Sequence, residues 1–161
     1  MKKKIVELHE LIDIREKLKN EGKTVVAAGG CFDILHAGHV MYLEEAAAMG
    51  DVLIVLLNSD TSIKSNKGDA RPINSQINRA IVLSGLECVK YIVIFEEKTP
   101  CEIIGKIKPD VFVKGEEYRK VLIPESEIVN KYGGQIKYVN MLDNCSTTNV
   151  IHQILKEMGN E

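Results

Sequence analysis

Two histidines, His36 and His39, stand three residues apart in GGCFDILHAGHVMYLEEA, the stretch from Gly29 to Ala46. The chain of 161 residues holds only four histidines, so this pair beside Gly29, Gly30, Asp33 and Gly38 concentrates polar chemistry in one place. At a spacing of three in a first helical turn, both side chains share one side of the helix. Imidazoles placed there meet unpaired N–H groups and the positive end of the helix dipole, a setting that suits phosphate. A bound polyanion would raise the histidine pKa values towards the charged form. A single helical histidine is usually structural. Two of them with glycines and an aspartate at a strand–helix junction point to a site instead.

Other chemistries fit less well. The sequence contains neither G-x-x-x-x-G-K-[ST] nor G-x-G-x-x-G, so neither the P-loop nor the dinucleotide fingerprint is present. Cys31, His36, His39 and Cys145 could be imagined around zinc, but their spacings match no standard zinc module. A Cys–His nucleophile pair lacks an orienting third group. No metal-binding residues are therefore expected. The net charge of −2 and pI near 6.1 give no general attraction to nucleic acid or acidic membranes. No apolar run has the length of a membrane span. The start, Met1-Lys-Lys-Lys4, is not followed by a secretory core, so the four cysteines read as reduced thiols of a cytoplasmic protein.

The elements that must position the histidines can be read from periodicity. Residues 5–20 carry apolar positions at helical spacing, and residues 1–22 read as a helical N-terminal extension of a core spanning 24–158, all within one domain, 1–161. Strands are predicted at 24–28, 51–57, 91–95, 111–114 and 136–139. Helices are predicted at 37–49, 79–87, 99–107 and 124–132, with a last helix from Ser146/Thr147 to about Met158. The run DVLIVLL is nearly all apolar, as in a strand buried on both faces. Strands alternating with helices imply an α/β, doubly wound, Rossmann-like parallel sheet of five strands with helices on both faces. Ligands of such sheets bind beyond the carboxyl ends of the strands, at the switch point, and the quoted stretch lies at the carboxyl end of the first strand. Gly29 and Gly30 are expected to turn the chain sharply there.

HAGH within this stretch resembles the H-x-G-H signature of the nucleotidylyltransferase superfamily. The likeness extends through N-S-D, K-G-D-x-R-P, F-E-E-x-T-P, V-K-G-x-x-Y and C-S-T-T-N. With these, nearly all of residues 5–155 resemble the heptose 1-phosphate adenylyltransferases, including the nucleotidyl-transferring half of bifunctional members. Glycerol 3-phosphate cytidylyltransferases share less of the middle.

The resemblance implies roles position by position. His36, His39 and Arg79 would be catalytic. Gly29, Gly30, Cys31, Phe32, Gly38, Lys114, Gly115, Tyr118, Ser146, Thr147 and Thr148 would hold the nucleotide. Asp33, Asn58, Asp60, Lys64, Lys67 and Arg71 would meet the acceptor or its phosphate. Asp33 could equally be a plain helix cap, as could the hydroxyls at 146–148. The implied reaction joins ATP, or CTP, to a sugar 1-phosphate and releases pyrophosphate, with Mg2+ carried on the phosphates and a homodimer as the assembly. A cytidylyltransferase of a polyol phosphate and a nucleotide-binding module without turnover are the alternatives. One departure stands out: relatives commonly carry a Lys or Arg in the helix after H-x-G-H, where this chain has Ala46, Ala47 and Ala48. Either Lys64 or Lys67 supplies that charge, or activity is weakened.

Overall fold

The structure, a computed structural model, describes residues 4–140, 142 and 145–159. Met1–Lys3 of the basic start therefore lie outside the described residues. A five-stranded parallel sheet forms the middle layer: β1 (Val25–Gly30), β2 (Val52–Asn58), β3 (Tyr91–Phe95), β4 (Val111–Gly115) and β5 (Gln135–Val139). Their spatial order is β3-β2-β1-β4-β5, with every pairing parallel. The chain winds outwards from β1 to β3 and then returns to the other side of β1, so the switch point lies between β1 and β4. This is the doubly wound sheet that the alternating pattern predicted.

Among the described residues seven α-helices cover it: α1 (Leu8–Asn20), α2 (Ala37–Ala47), α3 (Asp60–Lys67), α4 (Gln76–Ser84), α5 (Cys101–Ile107), α6 (Glu125–Lys131) and α7 (Thr147–Met158). Every residue of β2 is buried, because both faces of the sheet carry a core. On one face, Tyr42, Leu43 and Ala46 of α2 and Ala80 and Leu83 of α4 pack on Val26, Val55 and Leu57. On the other, Leu11 of α1, Ile103, Ile104 and Ile107 of α5 and Val129 of α6 pack on Ala27, Ile54, Leu56 and Phe112. Arg15 of α1 pins this second layer, donating to the carbonyls of Ile107 and Lys108 and pairing with Asp110 at 3.0 Å.

Several boundaries differ from the sequence pattern. Residues 5–6 are not helical: Ile5 bridges to Ile92, and the Val6 N–H donates to the Ile92 carbonyl. α1 begins only after the Glu7–Glu10 capping box. α3 carries a single strong apolar anchor, Ile63, so its periodicity does not mark it. Its start is set by Ser59, whose hydroxyl accepts from the Ser62 N–H. α4 starts three residues earlier than expected because Ser75 caps it. Gly29 and Gly30 do not turn the chain. They finish β1, paired with Leu56 and Leu57, and the left-handed residue is Phe32, at φ 45°. Gly30 is needed for room, since a Cβ there would sit 2.8 Å from the Phe32 ring.

Candidate active site

Beyond the carboxyl ends of β1, β2 and β4 opens a cleft of about 520 Å3. Its floor is Gly29 and Gly30. One wall carries Phe32, His39, Asn58, Lys67 and Arg71, and the other Lys114, Gly115, Tyr118 and Glu125, with Thr147 at the rim. α2 and α7 bring their N-termini together there: a Cβ added to Gly38 would lie 3.1 Å from the Cβ of Cys145, just before α7, and 3.1 Å from the His36 ring. Gly38 is therefore required by close approach of two chain segments. Two helices of 11 and 12 residues thus present first-turn N–H groups to one region.

His36 is the N-cap of α2, and its ring stacks on His39 with centroids 3.8 Å apart. The edge of Phe32 packs against His39 at 5.2 Å. Both His36 nitrogens and Nδ1 of His39 are buried without a hydrogen-bond partner among the described residues. Burial lowers the His36 pKa, and burial together with neighbouring His36 and Lys67 brings His39 down to about 4. Both rings are therefore neutral near pH 7 in the free protein. Buried polar nitrogens left without partners are costly; of the two rings His39 lines the cleft, while His36 stacks behind it outside the lining.

Asp33 lines the cleft with its carboxylate already engaged, whereas Arg79 lies outside the lining. Asp33 does not cap α2. It is buried, and its carboxylate accepts from the N–H groups of Ile73 and Asn74 and from Arg71 Nε at 2.9 Å. Burial pushes its pKa up, but these donors outweigh burial and hold it below the ordinary carboxylate value. Arg79 is a strut rather than a phosphate cation. It is 1% exposed and donates to the carbonyls of Asn74, Cys31 and Asn58 and to Asp60 at 2.7 Å. A guanidinium that deep can be charged only with its donors spent on protein, and Asp60 is spent with it. Together the two residues clamp the histidine loop, the end of β2 and segment 71–74 into one body.

Of the remaining cations, Lys67 and Arg71 line the cleft while Lys64 is exposed outside its lining. Of the two lysines expected to compensate for Ala46–Ala48, Lys67 is the one in the lining. Arg71 engages Asp33 through Nε. Cys31 and Phe32 line the cleft, and all four cysteines are free. Ser146 caps α7 through its hydroxyl, Thr147 lines the cleft, and Thr148 is exposed. Lys98 and Glu125 also line the cleft, although no sequence argument singled them out. Glu125 is 3% exposed and pairs with Lys114 at 2.9 Å, a contact between β4 and α6 that only the fold creates.

Comparisons with known proteins agree with this geometry. Residues 27–153 match the cytidylyltransferase-like family. The bifunctional protein HldE of Syntrophotalea carbinolica is 45% identical over 145 residues, covering 90% of this chain and 30% of that protein. The Campylobacter concisus HldE is 50% identical over 152 residues, covering 94% of this chain and 30% of that one. The chain thus spans about a third of the length of these relatives. A lipopolysaccharide core biosynthesis protein from Thermoplasma volcanium superimposes with a TM-score of 0.60 at 33% identity, over 75% of this chain and 98% of that one. A pantoate-beta-alanine ligase from Francisella tularensis, at 17% identity and TM-score 0.63, shares the fold, covering 94% of this chain and 78% of that one. With a family match over most of its length and a histidine pair set at the switch point of a doubly wound sheet, this chain belongs to the cytidylyltransferase-like family of nucleotidyltransferases.

Proposed function

We propose that this chain transfers the nucleotidyl group of ATP to a sugar 1-phosphate, D-glycero-β-D-manno-heptose 1-phosphate, and releases pyrophosphate. The observation that carries the reading is the pair of stacked, unpartnered histidines where two helix N-termini meet over one cleft. An oxygen of the sugar phosphate would bond to the α-phosphorus while the bond from that phosphorus to the α,β-bridging oxygen breaks. The electron pair would leave with pyrophosphate. The attacking phosphate is already largely ionised at pH 7, with a second pKa of about 6, so no general base is required. The protein's work is to align two polyanions and stabilise charge that builds on the leaving group.

His36 and His39 would donate to the triphosphate, the helix N-termini would add their N–H groups, and Lys67 and Arg71 would offset the remaining charge. Mg2+ would enter as part of the nucleotide substrate. Asp33 and one oxygen of Asp60 are engaged by Arg71 and Arg79, and Mg2+ bound mainly through substrate phosphate oxygens and water needs no dedicated carboxylate cage. The heptose assignment rests on the motif set from N-S-D to C-S-T-T-N. A homodimer belongs to the same reading, and the exposed stripe Ile73, Ile77 and Ile81 is a surface suited to a second copy.

The test incubates the protein with Mg2+, each nucleoside triphosphate in turn, and either the heptose 1-phosphate or glycerol 3-phosphate, with pyrophosphate release as readout. Release with ATP and the heptose 1-phosphate is expected. Release only with CTP and glycerol 3-phosphate would replace the substrate assignment. No release with any pair would leave a binding module.

A further inference from the structure

Glu125 is the one carboxylate among the described residues that is buried in the cleft with an oxygen left unbonded. Its Oε1 accepts from Lys114 Nζ at 2.9 Å, while Oε2 is shielded from water and has no partner among the described residues. The pair sits beside aromatic and apolar surface: Lys114 Nζ lies 4.8 Å from the Tyr118 ring and 5.7 Å from that of Phe112, and Ile123 and Pro124 line the same wall. A buried carboxylate oxygen without a partner is among the costlier omissions in a folded protein. An ionised carboxylate accepts only, so what completes it must donate.

We infer that Glu125 is a specificity residue whose free oxygen accepts a hydrogen bond from the nucleoside of the bound nucleotide. The inference rests on the nucleotide-binding reading above. The phosphates belong at the opposite wall, with the histidines, Lys67 and Arg71. The nucleoside then falls between Tyr118 and Ile123, where a flat ring meets an aromatic and an apolar side chain. A nucleoside brings two kinds of donor, an exocyclic base amine and the ribose hydroxyls. The base amine would make this wall select adenine or cytosine over bases with a carbonyl in that place. The hydroxyl would make it select ribose over deoxyribose.

A binding cycle separates these. Dissociation constants for ATP, inosine triphosphate and 2′-deoxy-ATP are measured by calorimetry on the unmodified protein and on Glu125→Ala, with no acceptor present. Freeing Lys114 from its partner affects all three ligands alike and cancels in the ratios. For the unmodified protein, the ligand that lacks the recognised donor should bind about 10- to 100-fold more weakly than ATP. In Glu125→Ala that penalty should vanish. Loss of discrimination against inosine triphosphate assigns the amine, and loss against 2′-deoxy-ATP assigns the hydroxyl. If both ratios are the same in the two proteins, Glu125 reads neither donor and the inference is overturned. Because the cycle measures binding alone, it stands apart from the pyrophosphate assay. Tight, discriminating ATP binding without turnover would remove the transferase reading and keep this one.

Discussion

On the β1–α2 wall of the cleft, Asp33 and Arg79 tie segments 31–33, 58–60 and 71–74 together through nine hydrogen bonds. On the β4–α6 wall a single buried ion pair, Lys114–Glu125, links two elements, and the connection between them leaves Val121 and Leu122 open to solvent. The first wall has the polar groups of Asp33 and Arg79 engaged, and its unpartnered buried atoms among the described residues are nitrogens of His36 and His39, of which His39 lines the cleft. That is the condition for stabilising charge in a transition state: dipoles held in place before the reaction begins. The second wall carries aromatic, apolar and carboxylate groups on a less constrained frame, which suits recognition of a ring by contact and one or two hydrogen bonds. On the proposed function, the cleft divides into a densely hydrogen-bonded half for the phosphates and a sparsely bonded half for the nucleoside.

The most damaging way to break this division is Arg79→Ala. It leaves the carbonyls of Cys31, Asn58 and Asn74 without donors and Asp60 without its cation. Removing one partner of a buried charge network costs about 3–5 kcal/mol. Urea unfolding should show an unfolding free energy lowered by that amount, through a lower midpoint at an unchanged slope. A loss below about 1 kcal/mol would mean that the rigid wall does not depend on its strut.

His39→Ala tests the chemistry held by that wall. Loss of one preorganised donor should lower kcat about 10²–10³-fold with a smaller change in nucleotide KM. The same residue sets a pH dependence of stability. Its folded pKa of about 4 lies below the ordinary 6.5 of an unfolded histidine. Between those values the unfolded chain binds the extra proton, so stability is present above pH 6.5 and falls as pH drops towards 4. His39→Ala should flatten that part of a stability–pH curve. A near-normal kcat in the folded variant would take His39 out of the mechanism.

The smallest effect is expected on the other wall. Leu122 is 93% exposed, so Leu122→Ser should shift unfolding free energy by no more than about 0.5 kcal/mol. A large loss would show that the 116–124 segment is packed against something in solution, and the contrast between the two walls would shrink.

Much of the fold was legible because burial writes itself into local pattern. The all-apolar run of β2 requires two covered faces, and the glycine-terminated helices between strands require parallel crossovers. His36 and His39 were legible for the same reason: their spacing is local, and so is the strand–helix junction that presents them. α3 was not legible, since its residues DTSIKSNK pack through Ile63 and Ser62 on neighbours from elsewhere in the chain.

What the sequence by itself determined is the α/β order and the histidine pair at a helix start just after the first strand. Each is settled by residues within one or two turns of one another. Only the tertiary structure decided which charged residues face a ligand. Arg71 and Arg79 look alike in the chain, yet one lines the cleft and the other is consumed by three carbonyls from separate segments. Asp33 became an anchor for residues about 40 positions away, and Glu125 met Lys114 only when α6 packed beside β4. A buried charge takes its role from whatever partners the fold brings within hydrogen-bond reach, and those partners are distant in sequence.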